Sequence, residues 1–94
     1  MPDHPVRVLQ SAAFSRVYKK LHKNQKADVD AAVDVIVRSP ELGEPKRGDL
    51  AGVYVYKFKS QNQLTLLAYE YDPGTRMLLL LGSHENFYRD LKRG

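Results

Sequence analysis

The chain has 94 residues, 15 Lys+Arg against 11 Asp+Glu for a net charge of +4, and no cysteine. Without cysteine there is no disulfide framework, no thiolate metal site and no Cys nucleophile, and a reducing compartment, the cytoplasm, is the expectation. The length fits one domain over residues 1–94 with one modest core, and a pI near 9.4 favours an anionic partner, either nucleic acid or an acidic protein.

The opening MPDHPVRV has no apolar signal-peptide region, and the longest apolar run, MLLLLG, is far too short to span a bilayer. No membrane association is expected.

Val6 and Val8 around Arg7 predict a first strand over 5–10. Ser11 follows as a helix N-cap, its hydroxyl able to satisfy an orphan backbone N–H. Phe14, Val17, Tyr18 and Leu21 recur at helical spacing, which predicts an amphipathic helix over 12–22 with Arg16, Lys19, Lys20 and Lys23 facing out. Asn24 breaks and recaps the chain. A second helix is expected over 25–38, with Val29, Ala32, Val33, Ile36 and Val37 on one stripe and Pro40 as its stop. The two helices form a hairpin.

The stretch SPELGEPKRGDLAG, residues 39–52, fits neither period and reads as a loop long enough to carry a function. Three strands follow. GVYVYKFKS alternates, with Tyr54, Tyr56 and Phe58 on one side and Val53, Val55, Lys57 and Lys59 on the other. QNQ turns the chain into LTLLAYEY, and DPG turns it again into RMLLLLGS, apolar throughout and so expected at the centre of the sheet. Residues 85–92 finish as a short basic helix. Tight turns between consecutive strands require antiparallel pairing. The predicted class is α+β: an N-terminal strand and helical hairpin on one face of a twisted antiparallel sheet, with a short C-terminal helix.

If the hairpin covers the Tyr54 face, Lys57 and Lys59 lie on the open one, ~7 Å apart as same-face neighbours. The last strand then brings His84, Tyr88 and Arg89 toward that surface. A cationic groove with one imidazole and one phenol suits metal-independent cleavage of an RNA phosphodiester. An acid and a base handle the two protons, ammonium groups stabilise the phosphorane, and an aromatic ring stacks on an unpaired base. Each residue also has a plainer reading: His84 as a capping side chain, Lys57 and Lys59 as a solubilising edge, Tyr88 as core, and Arg16 to Lys26 as a solvated helix face. His4 and His22 have no metal-ligand partner at suitable spacing. No cofactor is expected.

The order of elements, together with GEPKRGDLAGVYVYKFK and LGSHENFYRDLKR, resembles the RelE/ParE superfamily of bacterial type II toxin–antitoxin toxins, over about Val6 to Arg93. That resemblance implies a cognate antitoxin whose extended segment wraps the toxin. In the RelE-like branch it implies cleavage of mRNA on the ribosome without a metal. Lys57 and Lys59 match the strand lysines that act on the phosphate in some members. His84 matches the histidine of a YafQ-like member, and Tyr88 falls near that member's C-terminal aromatic. The expected site is therefore His84, Lys57, Lys59 and Tyr88 as catalytic residues, with Arg89, Lys92, Arg47 and Lys46 binding RNA phosphates. RelE-like enzymes place an arginine where this chain reads TLLAY. That departure keeps two alternatives: a ParE-like poison of DNA gyrase, and a catalytically silent binding module.

Overall fold

A computed structural model describes residues 5–93, with His84, Glu85, Asn86 and Arg93 described by their backbone alone. Five strands form one sheet: β1 (Arg7–Gln10), β2 (Glu44–Pro45), β3 (Tyr54–Ser60), β4 (Gln63–Asp72) and β5 (Thr75–Ser83). Three helices accompany them: α1 (Ala12–Lys19), α2 (Lys23–Arg38) and α3 (His84–Arg93). The class is the α+β arrangement expected, and the described helices include none long and apolar enough to cross a membrane.

The strand order is β1-β5-β4-β3-β2. β4, not β5, is therefore central, and β5 sits between β4 and β1. The sheet is mixed rather than wholly antiparallel, because β1 runs parallel to β5, with Arg7 opposite Thr75 and Gln10 opposite Leu78. No tight turn joins β1 to β5, so nothing forces that pair to be antiparallel. β1 and β2 lie on opposite edges, so the α1–α2 hairpin between them must cross a whole sheet face.

Ser11 caps α1 as its position predicts: its Oγ accepts from the Phe14 N–H at 3.0 Å and donates to the Leu79 carbonyl at 2.6 Å. α1 ends sooner than the apolar spacing suggests, closing at Lys19 through short-turn bonds from Lys20 and Leu21 to the carbonyls of Val17 and Tyr18. α2 starts earlier, at Lys23, with His22 rather than Asn24 as N-cap. The Gln25 side chain reaches back to accept the His22 N–H at 3.0 Å, which satisfies a donor that the helix leaves orphaned.

Two cores flank the sheet. Phe14, Val29 and Ile36 of the hairpin pack on Leu67, Tyr69, Leu78 and Leu81, with Tyr54, Tyr56 and Phe58 against them as the alternation predicts. The opposite face is not open. Phe87, Tyr88 and Leu91 of α3 cover Val53, Val55, Leu66, Ala68, Leu79 and Leu80. A β-bulge makes this possible. Ala68 pairs with Leu80 and Tyr69 with Leu78, leaving Leu79 as the extra residue on β5. Beyond the bulge the pleat changes sides, so Leu78 and Leu81 serve the hairpin core while Leu79 and Leu80 serve the α3 core.

β5 is also not apolar throughout. Arg76 is 4% exposed and donates from Nε to the Ile36 carbonyl at 3.0 Å and from Nη2 to that of Val37 at 2.9 Å. Its Nη1 reaches the carbonyls of Asp72 and Thr75 at 2.6 and 3.0 Å. A guanidinium thus takes two carbonyls that the C-terminus of α2 leaves without partners, and it sits where the helix dipole favours positive charge.

The stretch expected to be irregular, 39–52, is largely built. It holds two single-turn 3-10 helices, Pro40–Leu42 and Gly48–Leu50, and the edge strand β2 between them. Glu44 pairs with Val55 and Pro45 with Tyr54.

Candidate functional site

Lys57 and Lys59 are both exposed on β3. Strand alternation puts them on the side of Val53 and Val55, the side that α3 covers. Lys57 pairs with Leu66, and Leu66 pairs with Gly82. Gly82 lies beneath the Phe87 ring, where an added Cβ would stand 3.6 Å from its Cδ1. Two strand spacings, roughly 10 Å, therefore separate the backbone of Lys57 from the residue under α3.

One row further on, Ser83 ends β5 opposite Thr65, which is itself opposite Phe58. His84 is the next residue and opens α3. The start of α3 and the lysine pair thus occupy one rim of the sheet. The His84 side chain lies outside the described residues.

That rim is held from behind. Gln61 and Asn62 both take positive φ, 52° and 68°, the backbone of a two-residue hairpin whose twist matches its strands. Asp28 of α2 accepts Ser60 Oγ and Gln61 Nε2, each at 2.9 Å. The hairpin that carries both lysines is therefore tied to the helix on the far side of the sheet. Nothing in the sequence periodicity marks Asp28, which lies off the apolar stripe of α2.

Tyr88 is half-buried and stands edge-on to Phe87, with ring centroids 5.4 Å apart and planes at 89°. The Lys46 ammonium lies 4.9 Å from the Tyr88 ring centroid and 3.2 Å from Glu44 Oε1. Burial alone would push the Lys46 ammonium down, but the Tyr88 hydroxyl and the Glu44 carboxylate outweigh it and raise the pKa above its ordinary value. Two residues expected to act separately, one as phosphate ligand and one as catalytic aromatic, are in contact. Arg47, Arg89 and Lys92 are exposed on the surface around them.

A hollow of about 580 Å³ lies elsewhere, between the start of α1, β5 and the last turn of α3. Leu50, Val53, Leu79, Leu80 and Leu91 make it apolar, Arg16, Glu70 and Asp90 line it too, and among its described lining residues are none of Lys57, Lys59 and Tyr88. Chemistry at the lysine rim would act on a ligand lying across an open surface. Two ammonium groups, an oriented phenol and exposed guanidinium groups suit a polyanion better than a small enclosed substrate.

Several solved structures share this fold. A RelBE2 toxin–antitoxin complex from Mycobacterium tuberculosis is similar at 25% identity and a TM-score of 0.70, covering 85% of this chain and 99% of that one. A free-state mutant of the E. coli toxin RelE matches at 13% identity and 0.72, covering 95% and 92%. The YoeB/ParE toxin from Agrobacterium tumefaciens matches at 13% and 0.66, covering 84% and 99%. No curated protein sequence matches the chain. The family model of ParE-like toxins of type II bacterial toxin–antitoxin systems matches residues 8–92, and on that match, which takes in both the lysine rim and Tyr88, the chain belongs to this toxin family.

Proposed function

We propose that this toxin is a ribosome-dependent mRNA endonuclease that inhibits translation in the cytoplasm until its cognate antitoxin neutralises it. The observation that supports the reading is the shared rim: Lys57, Lys59 and the start of α3 lie on one side and at one end of the sheet. In the reaction, the 2′-oxygen attacks the adjacent phosphorus as a base takes its proton. The bond from phosphorus to the 5′-oxygen then breaks as an acid delivers a proton to that oxygen. The products are a 2′,3′-cyclic phosphate and a 5′-hydroxyl. Lys57 and Lys59 stabilise the extra negative charge of the phosphorane. His84 serves as acid or base, Tyr88 as stacking or proton-sharing partner, and Arg89, Lys92 and Arg47 as phosphate contacts.

One observation favours the gyrase reading. Across from Lys57 stands Leu66, fully buried, with Thr65 beside it, so β4 offers no guanidinium to this surface. The experiment that separates the readings adds purified protein to a translating extract, maps mRNA 5′ ends and runs a gyrase supercoiling assay in parallel. Cuts within codons that disappear in Lys57→Met and His84→Ala support the nuclease. Lost supercoiling with intact mRNA supports the ParE-like activity, and no effect in either supports a silent binding module.

The partner that the fold implies is an antitoxin, as in the RelBE2 complex. An acidic antitoxin segment laid over the exposed arginines and lysines would compete with RNA for the same charge.

A further inference from the structure

We propose that Lys46 is a positioning residue for Tyr88 and not a phosphate ligand; the consequence for catalysis rests on the nuclease reading above. Its ammonium is already engaged, 3.2 Å from Glu44 and 4.9 Å from the Tyr88 ring centroid. Its side chain is 18% exposed, against 59% for Glu44. The Glu44 carboxylate offsets its charge locally, so the pair adds little to the attraction of a polyanion. A lysine evolved to grip phosphate would gain nothing from this arrangement, whereas a lysine that orients a ring uses both contacts.

The backbone around Lys46 is equally committed. Its N–H donates to the Val53 carbonyl at 2.8 Å, and the two preceding residues pair with Val55 and Tyr54. The root of the side chain is therefore fixed relative to β3, the strand that carries Lys57 and Lys59.

α3 needs such a tether. Phe87 and Leu91 hold it through apolar contact, which is non-directional and resists rotation of a helix about its own axis only weakly. A cation over a ring is directional. Lys46 fixes the rotation of α3, and with it the place where Tyr88 and the adjoining Arg89 are presented to RNA.

The test compares Lys46→Met and Lys46→Arg with the wild type by three measurements. In ribosome-dependent cleavage, Lys46→Met should lower kcat by roughly tenfold to a hundredfold, the scale of a misplaced group, with KM held, and Lys46→Arg should recover most of the loss. Added to Tyr88→Leu, Lys46→Met should cost nothing more. The salt dependence of RNA binding should keep its slope. A slope reduced by about 0.7, the value of one lost phosphate contact on a single strand, with a raised KM and effects additive with Tyr88→Leu, would overturn the proposal and return Lys46 to phosphate binding. A third readout is independent of any nuclease activity. With 3-fluorotyrosine in place of Tyr88, the fluorine resonance should move in Lys46→Met and stay in Lys20→Met. If the wild type cuts no RNA, the nuclease reading falls and this resonance alone decides: a shift sustains the positioning role, and an unmoved signal sinks it.

Discussion

The Tyr69 hydroxyl and the Gly43 backbone meet at 3.0 Å, the phenol oxygen accepting the Gly43 N–H while its own proton goes to the Pro40 carbonyl. Tyr69 is fully buried at the centre of the hairpin core. It fastens the start of the 39–52 segment to β4, which in turn lets β2 find its place beside β3. The fit leaves no room for a side chain. A Cβ on Gly43 would stand 2.3 Å from the phenol oxygen, closer than any relaxed contact. Gly43→Ala is therefore expected to destabilise the protein by about 1–3 kcal/mol through overpacking. Tyr69→Phe should cost about 1–2 kcal/mol by stranding the buried Gly43 N–H and the partly buried Pro40 carbonyl. Urea unfolding of both variants checks this, and a Gly43→Ala protein as stable as the wild type would refute the packing described.

Tyr69 also predicts an alkaline limit. Burial raises its pKa above the ordinary 10.0, since the phenolate would lose its water, and the Gly43 N–H only partly opposes this. The sign follows from proton linkage. Below pH 10 the phenol is protonated in both folded and unfolded chains, and its contribution to stability is whole. As pH rises past 10 the unfolded chain releases its proton first, and stability falls until the folded value is passed. Tyr18, raised by donating to Asp30 at 2.8 Å, adds to the same loss. Thermal melts from pH 8 to 11 should show Tm falling in the upper part of the range, less steeply in Tyr69→Phe.

Much of this architecture was legible in the chain because it is written in periodic side chains. Tyr54, Tyr56 and Phe58 against Lys57 and Lys59 set the faces of β3 correctly, and Ser11 marked the start of α1. What escaped lies where periodicity is silent. Four consecutive leucines carry no alternation, so the bulge at Leu79 and the second core it feeds could not be seen, and the face expected to be open proved to be covered by α3. Gly43 and Pro45 looked like loop residues because their local signal is irregular, although long-range pairing with β3 makes β2 a strand. Lys46 and Tyr88 are 42 positions apart, and only the sheet brings them together.

Arg76 is the residue whose removal should be felt farthest from its own strand. Its donors bind only carbonyls, four of them, two at the end of α2. Arg76→Met keeps most of the stem but takes the donors from those oxygens, the buried Ile36 carbonyl among them, at an expected cost of about 3 kcal/mol. Arg76→Lys should rescue less than half, because a single ammonium cannot reproduce the planar fork. Hydrogen exchange gives the sharper reading: the last turn of α2 should lose protection before the sheet does. Uniform loss of protection would mean that Arg76 does not act as the cap of that helix.

Asp28 offers a gentler perturbation of the candidate site. Asp28→Ala removes the acceptor shared by Ser60 and Gln61, and with Ser60 only 5% exposed the loss should be about 1 kcal/mol. The fold should survive while the β3–β4 hairpin gains freedom. If the lysines act on a phosphate, cleavage should fall more than stability does, through kcat rather than KM. Equal catalysis in the variant would indicate that the hairpin needs no support from α2.

The lysine pair itself makes the most direct prediction. Lys57 and Lys59 are exposed and lie on the rim where α3 begins, so each is free to displace a counterion from a phosphate. Binding to a short single-stranded RNA should weaken steeply with salt, and Lys57→Met and Lys59→Met should each reduce the log–log slope by about 0.7. Stability should barely change, since an exposed strand lysine contributes little to folding. Lys20→Met, on the outer surface of the hairpin, is the control and should leave the slope near that of the wild type. Equal slopes in all three variants would mean that RNA does not lie across this face, and that the lysines serve only to keep the sheet in solution.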